Sequence, residues 1–92
     1  MAYLRQLLGQ RVRERRMALG EMSLTKLAEA TQIPIQVLSR LENGHQTIYV
    51  ERLAELAQAL GVSADYLLGL TDDPTPPKRA RRGKPADEEE AA

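Results

Sequence analysis

Cysteine is absent from the 92 residues, which excludes a disulfide framework, a cysteine-based zinc site and a thiol nucleophile. Histidine occurs once, at position 45, too little for an ordinary transition-metal site. The three aromatic residues are all tyrosine. No apolar run approaches the roughly 18 residues of a membrane span, and no apolar h-region opens the chain, so a cytoplasmic protein without membrane contact is expected. No stretch alternates apolar and polar residues over a useful length, so strands are not expected. No nucleophile-and-base set, carboxylate dyad, metal cluster or glycine-rich phosphate loop is present, and neither an enzyme nor a cofactor or metal is expected.

Net charge is missing as well, because thirteen Lys and Arg balance thirteen Asp and Glu. The balance hides two local fields. Arg5, Arg11, Arg13, Arg15 and Arg16 crowd the first segment; of these, Arg5, Arg11 and Arg13 form either a solvated face or a stripe turned toward a polyanion's backbone. Near the C-terminus a basic block, Lys78 to Lys84, precedes an acidic one, Asp87 to Glu90. No internal repeat is visible, and the length suits one small domain. That length leaves no room for a separate ligand domain, so control by a small molecule is not expected.

What remains is helical. YLRQLLGQRVRERRMAL (3–19) is rich in helix formers, with Leu4, Leu8, Val12 and Leu19 near helical spacing and Leu7 and Met17 beside them. Gly20 suits a left-handed C′ position. Ser23 can cap a second helix, 24–31, that turns Leu27 and Ala28 inward; Lys26 in its first turn opposes the helix dipole. Pro34 suits the first turn of a third helix, which Gly44 ends. ERLAELAQAL (51–60) makes a fourth, stopped by Gly61. Ser63 caps a short fifth, ADYLL, ended by Gly69. TDDPTPP (71–77) marks the end of the domain; residues 71–92 are expected to be a disordered charged tail, since they offer too little apolar surface to offset ordering entropy. The tail is either a solubilising appendage or an electrostatic arm.

Within IPIQVLSRLENGHQ (33–46), Leu38 and Leu41 share one face and Gln36 and Arg40 another. Two helices joined by about three residues make a helix-turn-helix arrangement. Its second helix here offers groups that reach base edges: Gln36 can pair with adenine and Arg40 with guanine, each bidentately. Ile35 and Val37 can touch a thymine methyl, or serve the core or a dimer contact. Asn43 and Gly44 put backbone N–H groups and a small amide at a turn, where a phosphate could sit.

These residues resemble the phage repressor and Cro type of helix-turn-helix, the XRE-like regulators. The match is carried by LTKLAEATQIPIQVLSRLENG (24–44) and VERLAELAQALGVSADYLLG (50–69), with RRMALG (15–20) upstream. The resemblance implies an all-α, compact five-helix lambda-repressor-like domain over residues 1–70. It implies base reading by Ile35, Gln36, Val37 and Arg40, and phosphate binding by Ser23, Thr25, Lys26, Asn43, Gly44, His45 and Gln46. It pairs Arg16 with Glu42 as a structural ion pair beneath the DNA-facing surface. It places a dimer seam at Leu67, Leu68 and Leu70.

The chain also departs from the pattern. Leu24 stands where a phosphate-reaching glutamine usually opens the second helix. Pro34 replaces a serine or threonine, and Ile35 replaces the usual polar first reader. His45, Gln46 and Thr47 follow Gly44 where lysine or arginine is usual. The function implied is sequence-specific binding of double-stranded DNA as a homodimer, with repressor or regulator activity at a palindromic operator. The alternative is a protein-binding module or antitoxin that uses the same fold to hold a toxin, a polymerase or another regulator.

Overall fold

Five helices follow one another in a computed structural model of the chain, which describes residues 2–76: α1 (Ala2–Ala18), α2 (Leu24–Thr31), α3 (Ile35–Glu42), α4 (Val50–Leu60) and α5 (Ala64–Leu67). No strand occurs among the described residues. None of these helices is long and apolar enough to cross a membrane. The basic and acidic blocks at 78–84 and 87–90 lie outside the described residues.

The helix ends follow from local chemistry. Ser23 is extended and its hydroxyl accepts from the Lys26 N–H at 3.0 Å; Ser63 does the same for Tyr66 at 3.0 Å. Each hydroxyl satisfies one of the amides that a first turn leaves without a partner. Pro34 sits one position outside α3 rather than in its first turn, and its carbonyl takes the Val37 and Leu38 N–H groups. Gly44, at φ 77°, lets α3 end in a reversal: the His45 N–H returns to the Arg40 carbonyl at 2.9 Å and the Gly44 N–H to Leu41 at 3.0 Å.

Leu8, Val12, Leu27, Ile33, Leu38, Leu41, Leu56, Ala57, Leu60, Val62 and Leu67 form the core. Each fully buried leucine among them contributes about 1.5–3 kcal/mol relative to an exposed one. Leu24, the departure from the family's glutamine, packs partly against this cluster. Met17 and Leu19, expected inward, are instead 45% and 39% exposed; Met17 lies in the last turn of α1, and Leu19 lies beyond its end at Ala18.

Glycine does its least expected work inside a helix. Gly9 is buried on α1 where α1 crosses α3, and a Cβ there would stand 2.2 Å from the Leu41 carbonyl oxygen and 2.8 Å from that of Glu42. Only a residue without a side chain lets the two backbones approach so closely.

The arginines of α1 are mainly structural. Arg11 is neither solvated nor turned outward: its side chain is 13% exposed and its guanidinium lies 4.2 Å from the Tyr66 ring centroid. It donates to the carbonyls of Tyr66 (2.6 Å) and Thr71 (2.8 Å) and to the Asp72 carboxylate (2.7 Å). Arg15 donates to the Leu60 carbonyl at 3.0 Å. Residues 71–74, placed by sequence in the tail, are thus tied to the helices, and the Ser63 N–H adds a bond to the Pro74 carbonyl at 3.0 Å.

Candidate nucleic-acid interface

The site begins with the division of labour on α3. Leu38 and Leu41 are fully buried and hold the helix down. Gln36 and Arg40, one turn apart, are exposed on the other side. Ile35 is 38% exposed at the first turn. Val37 is half-buried and packs against the core, so its methyls are shared between the interior and the surface.

The turn ahead of α3 sets that face relative to α2. Gln32 takes the left-handed conformation, φ 60°, at the end of α2. The buried Thr31 hydroxyl donates to the Leu27 carbonyl at 2.8 Å and accepts from the Ile33 N–H at 3.4 Å. Ser23, Thr25 and Lys26 are exposed at the start of α2. With Lys26 N–H capped, the Leu24 and Thr25 amides remain the first-turn donors without an intrahelical acceptor.

Behind α3 lies the ion pair. Arg16 Nε is 2.7 Å from Glu42 Oε2 and Arg16 Nη2 is 2.9 Å from Oε1, while Nη1 donates to the Met22 carbonyl at 2.6 Å. Side-chain exposures of 12% and 5% put both partners under the surface. The Glu42 hydrogen bond and charge raise Arg16 above its ordinary pKa, against the opposing effect of burial. One guanidinium therefore joins α1, the α1–α2 loop and the end of α3, and fixes the height at which α3 presents Gln36 and Arg40.

Two assignments change. The amides of Asn43, Gly44 and His45 all bond to α3 carbonyls, so the turn does not offer Gly44 N–H to a phosphate; Asn43 and His45 retain only their side chains for that task. Leu67 is fully buried in the domain's own core and presents no surface to a second chain. Leu68 is half-buried and Leu70 is 74% exposed.

A helix-turn-helix family model matches residues 12–67. The chain belongs to this XRE-like helix-turn-helix family. In the crystal structure of the clp gene regulator ClgR from Corynebacterium glutamicum, a chain 38% identical to this one superposes with a TM-score of 0.66, over 71% of this chain and 68% of that chain. As a helix-turn-helix family member, the chain is a DNA-binding transcriptional regulator.

Sequence reasoning missed one part of this helix-turn-helix surface. Val37, Gln46, Thr47, Ile48, Tyr49 and Arg52 line a shallow groove beside α3. Arg52 lies 5.7 Å from the Tyr49 ring centroid. The loop after Gly44 lacks the family's usual basic residues, and Arg52, from the first turn of α4, brings a cation to the same place. The signal available was the lone arginine at the head of ERLAELAQAL, eight residues beyond Gly44.

Proposed function

We propose that the chain is a repressor-type regulator that reads a palindromic duplex site as a twofold dimer. In this reading α3 enters the major groove, Gln36 and Arg40 pair with base edges, and Ile35 with the outer part of Val37 meets a thymine methyl. Thr25 and Lys26 with the start of α2, and the side chains of Asn43 and His45, flank the groove on phosphates; Ser23 takes part through its backbone, its hydroxyl being engaged as a cap. Leu68 and Leu70 belong to the dimer seam. The observation that carries the reading is the exposed Gln36–Arg40 row on a helix whose opposite face is fully buried.

Tyr49 and Val50, 72% and 78% exposed at the head of α4, favour a second reading: a module that docks a protein such as a toxin or polymerase. Selecting bound duplexes from a random pool separates the two. The first reading expects one enriched site with mirror symmetry and half-site centres about 10 base pairs apart, bound less tightly as salt rises. A pool that never enriches rejects it.

A further inference from the structure

The Arg40 side chain does not wave free above α3. Its Nε donates to Gln46 Oε1 at 2.8 Å. The contact is built by the end of the helix. Gly44, at φ 77° and with Gln6 Cγ 3.2 Å from where its Cβ would stand, reverses the chain. The His45 N–H closes the reversal on the carbonyl of Arg40 itself. The next residue, Gln46, is thereby returned over the turn that carries Arg40.

We propose that Gln46 is a positioning residue that sets the guanidinium of Arg40 for base readout, an inference that rests on Arg40 being a base reader. An arginine has five N–H donors and no acceptor, so the Gln46 amide can meet Nε only through its oxygen. That fixes the orientation of the amide and occupies the side-on edge of the guanidinium. The end-on pair, one N–H from each Nη, stays available as the fork that matches guanine O6 and N7. A long side chain held before binding loses less freedom on binding. Gln46 thus acts on specificity through Arg40, in place of the phosphate contact implied by its position after Gly44.

The experiment is a double-mutant cycle on the full chain with Arg40→Ala, Gln46→Ala and both together. Affinity is measured for the best selected duplex, for duplexes changed at each position, and for a random duplex at several salt concentrations. Both residues lie on the surface, and equal melting points serve as the folding control. Arg40→Ala is expected to flatten preference at one or two positions. Gln46→Ala should lower preference at those same positions by about 2- to 12-fold, leave the random duplex and its salt slope unchanged, and add nothing once Arg40 is alanine. In the free protein, the Arg40 Nε–H should lose NMR order in Gln46→Ala. If Arg40→Ala leaves the consensus unchanged, base reading by Arg40 fails and the inference fails with it. If Arg40→Ala changes the consensus but Gln46→Ala does not, the inference alone is overturned. A Gln46→Ala loss shared by all duplexes, with a salt slope lower by about one, makes Gln46 a phosphate contact and also overturns it.

Discussion

Arg16 and Glu42 meet edge to edge, with Nε on Oε2 at 2.7 Å and Nη2 on Oε1 at 2.9 Å, between the last turns of α1 and α3. Removing one partner leaves the other charged and buried. Glu42→Ala should therefore destabilise the domain by about 3–5 kcal/mol, whereas Glu55→Ala, on the exposed side of α4, should change stability by no more than about 0.5 kcal/mol. The double change Arg16→Met with Glu42→Leu should recover most of the loss. Recovery should stop short of complete, because the Met22 carbonyl also loses its donor, a further ~1 kcal/mol. Equal denaturant midpoints for Glu42→Ala and Glu55→Ala would overturn this account.

Gly9 gives a test in which the sign decides. At an unconstrained position inside a helix, alanine is more stable than glycine by roughly 0.5–1 kcal/mol. At Gly9 an added Cβ meets two carbonyl oxygens of α3, 2.2 and 2.8 Å away, and backbone must move. Gly9→Ala should destabilise by about 1–3 kcal/mol. It should also weaken DNA binding in the fraction that stays folded, because the shift falls on the helix that carries Gln36 and Arg40. A higher melting point for Gly9→Ala would mean that the crossing has slack.

Much of this arrangement was legible in the sequence, for identifiable reasons. The helices were found because leucine spacing, two serine caps and glycine stops agreed with one another. Gln36 and Arg40 were placed on one exposed face by spacing alone, while the Arg16–Glu42 pair needed the family resemblance, since nothing local links residues 26 apart. Gly9 was not legible: inside a run of helix formers a glycine reads only as a weak point, and its purpose is a contact with a distant helix. Leu67 was misassigned because α5 has four residues, too few for periodicity to say which side faces in. Arg11 was hidden for the opposite reason: its acceptors are mostly backbone carbonyls at 66 and 71, which carry no side-chain signature.

The segment 71–75 supplies a pH prediction. The Asp73 carboxylate accepts from the Thr75 N–H at 3.0 Å, and the Asp73 N–H donates to the Thr71 hydroxyl at 3.1 Å. The Thr75 backbone bond holds Asp73 below its ordinary pKa, helped by the Thr75 side chain. A depressed carboxylate favours the ordered turn above its unfolded value, and that preference is lost as pH falls through the folded one. Carboxyl NMR should show Asp73 titrating below the ordinary aspartate range. Thr75 amide protection should decline over the same interval and be lost at all pH values in Asp73→Ala. A normal Asp73 midpoint would show that the turn is not populated.

The dimer prediction is sharpened by the burial of Leu67. One recognition helix reads only a few base pairs, so a unique genomic address requires more than one copy or more than one site of contact. A twofold dimer solves this by setting two α3 helices about 34 Å apart, one turn of duplex. The seam must then come from side chains that the folded monomer leaves outside, and at the end of α5 these are Leu68, half-buried, and Leu70, 74% exposed. Leu70→Asp should leave the melting point of the monomer within the small range of surface changes, about 0.5 kcal/mol, yet shift sedimentation toward the monomer and weaken binding to the palindromic site. Its effect on a duplex carrying a single half-site should be slight, because each α3 still reads as before. Leu67→Asp should behave differently, placing an unpaired carboxylate in the core and unfolding the domain whether or not DNA is present. Sedimentation with and without the selected duplex, for wild type and both variants, distinguishes these cases. A wild-type chain that binds an asymmetric site as one copy, with Leu70→Asp indistinguishable from it, would rule out the twofold seam.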